Sequence, residues 1–193
     1  FADFSNVVIK SDATTGSHAG VITLTDGTVL KFNVVLAKYN GTYYINYQDN
    51  GDKAVFVGYN ADKDNANNVG YKLIAQGTYA PTAELDKIFT ITPSGEGYTL
   101  SAQGKYLKAP NLSAWNHVMF SDNEAEAGVY LFEETDLNSS IYKMRNPSTA
   151  NNQKYINDYD NLVFGNDLEN KENLSTFTFT EVTSFNLNFA DTI

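Results

Sequence analysis

The sequence contains no cysteine and only two histidines among its 193 residues. The absence of thiols excludes a disulfide framework, a thiol nucleophile and a thiolate metal site. His18 and His117 lie far apart in the chain, in the contexts "GSHAG" and "WNHV", and neither context matches a serine-triad or zinc motif. We therefore expect no cofactor, no metal and no catalytic centre of these kinds.

Positive charge is also scarce, because 13 lysines and arginines face 23 aspartates and glutamates, for a net charge of −10. Binding nucleic acid or an anionic membrane surface requires a basic surface, so both are excluded as partners. No apolar run reaches the length that spans a bilayer. The chain begins with Phe1 rather than methionine, which predicts a processed or shortened chain and a secreted or cell-surface location.

Aromatic residues are plentiful, with 13 tyrosines and 12 phenylalanines, and they alternate with threonine and valine in short runs typical of β-strands. Val21–Phe32 predicts a hairpin, since two alternating runs flank Asp26-Gly27, a pair that suits a type I′ turn. Helical periodicity is confined to Ala80–Ile88, where one or two turns are expected. The sequence therefore predicts an all-β protein.

A four-strand pattern occurs three times. The second strands are similar to one another ("YYI", "KYL" and "KYI"), and each is followed by an apolar strand and then by an aromatic alternating strand. In chain order the four strands begin at Val29, Tyr43, Val55 and Ile88, at Tyr98, Lys105, Val118 and Val129, and at Ile141, Lys154, Leu162 and Phe177. A threefold repeat of four strands favours a β-trefoil over a propeller.

We predict a β-trefoil over residues 41–183, with an N-terminal hairpin extension in 1–40 and a C-terminal strand in 184–193 that packs with this extension. Unit one would carry a loop insertion from Ala61 to Asp86. The alternative fold is a β-sandwich or jelly roll, because many short strands suit either architecture. The expected core comprises Tyr106, Leu107, Phe120, Tyr130, Phe132, Tyr155, Ile156, Phe164, Phe177 and Phe179.

Three segments carry a family resemblance: "GKYLKAP" (Gly104–Pro110), Val118–Phe120 and Ala127–Glu134. They resemble the β-trefoil superfamily of ricin-B-type lectin and fascin-like domains, over residues 41–183. The Gln-x-Trp signature of ricin-type repeats is missing from every unit, so the resemblance implies the fold without the ricin-type sugar site. The asparagine-rich and tyrosine-rich composition is similar to that of exported Bacteroidetes proteins, in which such domains accompany glycan-handling proteins.

Trp115 is the strongest candidate for ligand binding, because it lies in a polar loop between two strands of unit two. An aromatic ring can stack on the apolar face of a sugar, while Asn111, Asn116 and His117 would supply hydrogen bonds. The alternative is a tryptophan folded back into the core. Either outcome is compatible with the sequence.

Two acidic patterns are weaker candidates. Asn60–Asn68 offers Asp62 and Asp64 to a calcium ion, but the glycine and terminal glutamate of the standard calcium loop are missing, so a solvated loop is favoured. Residues 157–161 and 165–173 are acidic, yet no carboxylate pair stands out for glycoside hydrolysis. We therefore expect a protein that is not an enzyme.

The favoured function is non-catalytic, lectin-like binding of a glycan or surface polysaccharide by an exported protein. The alternative is a protein-binding module, such as a trefoil protease inhibitor or an adhesin domain, with the insertion of unit one as its binding arm. A purely structural domain of a larger surface protein is a third option.

Overall fold

The computed structural model describes residues 16–48, 51–61, 69–109, 117–147, 153–160, 162–168 and 173–182. This part of the chain is built from fourteen strands and two short 3-10 helices, Glu84–Lys87 and Glu124–Glu126, which confirms the all-β prediction. The strands are β1 (Gly16–Thr23), β2 (Val29–Leu36), β3 (Gly41–Tyr47), β4 (Lys53–Ala61), β5 (Val69–Ala75), β6 (Ile88–Ser94), β7 (Gly97–Ala102), β8 (Lys105–Leu107), β9 (Phe120–Ser121), β10 (Leu131–Glu134), β11 (Tyr142–Arg145), β12 (Gln153–Asp160), β13 (Val163–Leu168) and β14 (Phe177–Glu181).

The predicted N-terminal hairpin is present as a separate two-stranded sheet of β1 and β2. Its last pair is Thr23↔Val29, so the connection is a longer loop than the predicted two-residue type I′ turn. Within this loop the Asp26 carboxylate accepts a hydrogen bond from the Thr28 amide at 2.8 Å, and Gly27 has φ +84°. Asp26 and Gly27 thus shape the turn, as expected, through a side-chain bond and a left-handed glycine.

The other twelve strands form one sheet in the order β10-β11-β12-β13-β5-β4-β3-β6-β7-β8-β9, and β14 pairs with both β11 and β3. Because β14 joins these two strands, β3, β4, β5, β13, β12, β11 and β14 close into a seven-stranded barrel. Closure removes the exposed edges that an open sheet would present. The barrel interior holds the main core.

The structure does not confirm the predicted β-trefoil. The barrel wall contains the β4–β5 and β12–β13 hairpins side by side. The pair Val163↔Ile74 joins the two hairpins, and the pair Arg145↔Tyr155 joins β12 to β11. Outside this path, β3 also pairs with β6, and Tyr98 of β7 bridges Tyr130 just before β10. The β-sandwich alternative agrees only in part, since its antiparallel pairing is present but the strands close into a barrel.

Unit one differs from the prediction at two places. Its first strand is β3, whereas β2, the predicted first strand, pairs with β1 in the described sheets. The predicted insertion contains β5, which pairs with β4 from Val55↔Ala75 to Ala61↔Val69 and buries Leu73. Residues 69–75 of this stretch are therefore part of the barrel wall rather than a loop, and the protein-binding alternative stays a prediction.

Most of the predicted core is buried. Leu107, Phe120, Tyr130, Tyr155, Ile156, Phe164 and Phe177 are buried, Phe132 and Phe179 pack partly buried against the core, and Tyr106 is half-buried. A second cluster, which we call the Tyr39 cluster, contains Tyr39, Tyr43, Ile91, Tyr98 and Tyr142. Tyr39 comes from the segment between β2 and β3, so this connection is anchored to the barrel by its own aromatic ring. Burial raises the pKa of the Tyr39 hydroxyl well above its usual range, with a further contribution from its hydrogen bond with Tyr142.

Asp86 organises the segment that leads into β6. It stands at the third position of the 3-10 helix, where its Oδ2 accepts hydrogen bonds from the Ala83 amide (2.7 Å), the Thr82 amide (2.7 Å) and the Thr82 hydroxyl (2.8 Å). Oδ1 accepts a further bond from Nε2 of Gln103. Burial alone would raise the pKa of the Asp86 carboxyl, but the bonds from Thr82, Ala83 and Gln103 outweigh it and lower that pKa.

We expect Phe177→Ala to lower the free energy of unfolding by about 3–5 kcal/mol, because it leaves a cavity where the closing strand meets the core. Phe177 is fully buried and packs against Tyr47 and Phe164, at centroid distances of 5.9 and 5.3 Å. Urea unfolding followed by circular dichroism measures this loss. Thr180→Ala, on the exposed face of the same strand, is the matched control, and an equal loss in both variants would contradict the role of Phe177.

We expect Asp86→Asn to lower the free energy of unfolding by about 1–3 kcal/mol at pH 7, because the amide cannot accept the same set of hydrogen bonds. The folded-state pKa of Asp86 lies below the ordinary value of 3.8, so its stabilisation is complete above that value and is lost as the pH falls through the lower folded pKa. The difference between the two proteins should therefore shrink in unfolding measurements made at pH 3. Asp136→Asn, at an exposed site, is the control, and a pH-independent loss at Asp86 would contradict the ionised role.

Candidate functional site

A pocket of about 320 Å³ lies on the outside of the barrel wall and is the candidate functional site. It has an apolar floor, exposed tyrosine rings and one polar wall, and we call it the tyrosine pocket. Its lining residues are Phe56, Val57, Gly58, Tyr59, Tyr71, Ile74, Tyr79, Ala80, Thr82, Asp86 and Gln103. Strands β4 and β5, the 76–83 connection, the 3-10 helix and the β7–β8 turn thus all contribute to it.

The β4–β5 ladder places two tyrosines opposite each other. Tyr59 and Tyr71 are directly paired across the strands, and their rings meet edge to face with centroids 5.4 Å apart and planes at 77°. Their exposed fractions are 61% and 39%, and Tyr79 nearby is 38% exposed. Large aromatic side chains rarely remain this exposed in a group without a ligand or partner. The barrel wall therefore presents an aromatic surface to the outside.

Tyr71 is held in place from its other side. Nζ of Lys105 lies 4.4 Å from the centroid of the Tyr71 ring, a cation–π arrangement. The same ammonium forms a salt bridge of 2.5 Å with Asp122, and this bond raises the pKa of Lys105, so the cation stays charged. The Tyr71 ring therefore has a defined orientation before any ligand arrives.

Gly58 leaves the pocket floor open. A Cβ at this position would lie 2.8 Å from the Phe56 ring and 2.9 Å from Cδ1 of Ile74, both closer than side-chain carbons approach each other. Phe56, Ile74 and Val163 form a buried cluster of their own. The floor is therefore apolar and packed, and glycine is the residue that fits above it.

The polar wall is formed by Thr82, Asp86 and Gln103. Both Asp86 oxygens already accept hydrogen bonds, and the lowered pKa keeps this carboxylate ionised. A general acid or base works best with a pKa near the operating pH, so a carboxyl with a lowered pKa suits neither role. Its arrangement instead fixes the position of Gln103 at the rim.

Among the described residues, no group of three or more His, Asp or Glu side chains could hold a metal ion. The weak calcium candidates Asp62 and Asp64 lie outside the described residues. In the described part of the chain, no helix has the length and apolar character that crossing a bilayer requires.

Three of the four predicted ligand-binding residues, Asn111, Trp115 and Asn116, lie outside the described residues, so their role stays a prediction. The fourth, His117, is only 6% exposed, and its backbone bridges Gly165 of β13. Its side chain is therefore buried rather than presented to solvent, and its role in ligand binding also stays a prediction.

Sequence reasoning missed the tyrosine pocket because it treated residues 61–86 as a loop insertion. A signal was present, since "VGY" occurs at residues 57–59 and again at 69–71. The two copies lie on β4 and β5, which pair in antiparallel register with Tyr59 opposite Tyr71. Two short strand-like runs separated by a polar stretch predict such a hairpin. No comparable sequence pattern indicates that Gln103 lines this pocket.

Comparison with known proteins yields a likeness of fold. No family model and no curated protein matches the chain. A solved structure, the GlcNAcα1-4Gal releasing endo-β-galactosidase from Clostridium perfringens, is similar with a TM-score of 0.52 and 15% sequence identity. The likeness covers 80% of this chain and 36% of that enzyme, so the chain spans about a third of the enzyme's length.

This finding overturns the predicted resemblance to the ricin-B-type lectin and fascin-like superfamily and to exported Bacteroidetes proteins. The strands close a seven-stranded barrel, and the similar solved structure is an endo-β-galactosidase rather than a trefoil lectin. The short motifs behind the resemblance, such as Gly104–Pro110, specify a tight turn and a strand, which many β-proteins share. At 15% identity the comparison establishes an all-β fold similar to part of that enzyme.

Proposed function

We propose that the chain is a non-catalytic carbohydrate-binding module and that the tyrosine pocket binds the sugar. The observation that carries the proposal is the exposed Tyr59–Tyr71 pair beside the amide of Gln103. Aromatic rings next to neutral hydrogen-bonding groups match the alternating apolar C–H faces and hydroxyls of a sugar. A secreted or cell-surface location, where glycans are abundant, belongs to the same proposal.

The pocket has the features that weak, reversible sugar binding requires. Its volume of about 320 Å³ suits one or two sugar rings rather than a long buried chain. The Tyr71 ring is already oriented by Lys105, so binding a ligand costs little side-chain entropy. Affinity for a single site of this kind is modest, and neighbouring modules of a longer protein would increase it by avidity.

The fold neighbour supports a carbohydrate ligand and a first choice of sugars to test. The similar structure is an endo-β-galactosidase that releases GlcNAcα1-4Gal, so galactose-containing glycans are the first probes. The present chain corresponds to 36% of that enzyme, which is compatible with a role as one module of a larger glycan-active protein. A non-catalytic role is favoured because the carboxylate of Asp86 is engaged by four hydrogen bonds.

We expect Tyr71→Ala to weaken binding of a galactose-containing oligosaccharide at least about tenfold, because it removes a ring face and its stacking energy. Tyr59→Ala should act in the same direction. Tyr71→Phe keeps the ring and should retain most of the affinity. Isothermal titration calorimetry with galactan oligosaccharides and GlcNAcα1-4Gal measures each constant, and circular dichroism confirms that each variant is folded.

Two controls distinguish the pocket from other sites. Leu137→Ala changes a side chain that is 91% exposed and lies outside the pocket lining, so it should leave binding unchanged. Trp115→Ala tests the loop that the sequence predicts. Loss of binding in the Trp115 variant, with full binding in both tyrosine variants, would move the site to that loop. An absence of binding to every glycan of the panel would refute the proposed function.

A further inference from the structure

We propose that Gln103 determines the ligand class of the tyrosine pocket, by forming paired hydrogen bonds with two adjacent hydroxyls of an uncharged sugar. This inference rests on the proposed function and goes beyond it, because it names the residue that selects the sugar. It is carried by three observations on Gln103: its backbone conformation, its bond to Asp86 and the charge of the residues around it.

The backbone of Gln103 is unusual. It forms the two-residue connection between β7 and β8 with Gly104, flanked by the pair Ala102↔Lys105. Both residues have positive φ, +52° and +70°, as a type I′ turn requires. Asparagine or aspartate is the ordinary residue at the first of these positions, and glutamine costs conformational energy there. A longer amide in a strained position at the rim of a pocket is a common sign of a functional site.

The longer side chain of Gln103 has a specific use. Its Nε2 donates one hydrogen to Oδ1 of Asp86, which is anchored by Thr82 and Ala83. An amide carries two donors and one acceptor oxygen, so one N–H and the carbonyl can be offered to a ligand. A donor and an acceptor side by side match two neighbouring hydroxyls of a sugar ring, each of which both donates and accepts.

The charge around Gln103 selects against acidic sugars. Among the residues that line the pocket, Asp86 carries a negative charge, and the lining includes no lysine, arginine or histidine. The chain as a whole has a net charge of −10. Lys105, the cation beside Tyr71, is already paired with Asp122, so a carboxylate on the ligand would lie near Asp86 without a free counter-ion, and such like-charge contacts reduce affinity. The pocket therefore favours neutral glycans over uronic acids.

The test compares wild-type protein with Gln103→Asn in calorimetric titrations of a β1-4-galactan oligosaccharide. The variant creates an Asn-Gly turn, which suits the positive φ of both positions, so the fold should be kept, and thermal unfolding verifies this. The shorter amide cannot span the same distance from the turn. We expect affinity for the galactan to fall about tenfold, the equivalent of one paired hydrogen bond.

Two ligand changes separate a selecting role from a merely structural one. Monodeoxy analogues that lack one of two adjacent hydroxyls should lose affinity for the wild-type protein but not for Gln103→Asn, since only the wild type contacts both. The same galactan oxidised at C6 to carboxylates should bind the wild-type protein at least about tenfold more weakly. Equal losses of the deoxy analogues in both proteins, or equal binding of the oxidised galactan, would overturn this inference while leaving the pocket as the site. Failure of the tyrosine variants to change binding would instead place the sugar outside the pocket, and an absence of binding to every glycan would overturn the proposed function.

Discussion

The pairing of β14 with β3 is the constraint on which the rest of the structure depends. It runs from Phe177↔Tyr47 to Glu181↔Tyr43 and joins segments that are far apart in the sequence. β3 also pairs with β4 and β6, so this one strand connects three others. Closing such a long loop costs chain entropy, which is recovered because buried aromatic rings meet at the junction. Without this pairing the strands would form an open sheet, with β4 and β5, which carry the tyrosine pocket, in its interior.

The Tyr39 cluster and the tyrosine pocket are stabilised by different means. Against the Tyr39 cluster, Phe132 stacks on Tyr98 and on Phe179, with both centroid distances at 4.6 Å. Beside it, Lys38 bonds to Glu134 at 2.9 Å, and these groups lie at the surface, where salt reduces their contribution. At the pocket, order comes from hydrogen bonds to a buried carboxylate. The aromatic cluster stabilises the fold, whereas the hydrogen bonds to Asp86 orient the side chain of Gln103.

A shallow binding site needs side chains that are already oriented, because ordering them on binding would cost conformational entropy that a weak interaction cannot offset. Tyr71 is oriented by Lys105, and Gln103 is oriented by Asp86, so both kinds of contact are formed in advance. The positive-φ backbone of Gln103 is held by the bond of its side chain to the Asp86 carboxylate. The acidic character of the chain repels polyanions, which agrees with the proposal of a neutral ligand.

The sequence by itself determined the all-β class, the N-terminal hairpin and most of the core, because alternation and turn residues are local signals. Phe164 and Phe177 could be assigned to the core from their own strands. The sequence did not determine which strands close the barrel, since pairings such as Val163↔Ile74 join segments that share no local signal. The strand β5 likewise lies in a stretch whose local sequence predicts a loop, although its "VGY" motif matches that of β4.

The tertiary structure alone decided the candidate site. Tyr59, Tyr71 and Gln103 come from three strands or turns and meet only because the ladders and the Asp86 bonds bring them together. The burial of His117 likewise depends on its bridge to Gly165, almost fifty positions along the chain. Local sequence patterns determine which segments form strands, whereas the free energy of packing determines which strands pair. The candidate site depends on that pairing.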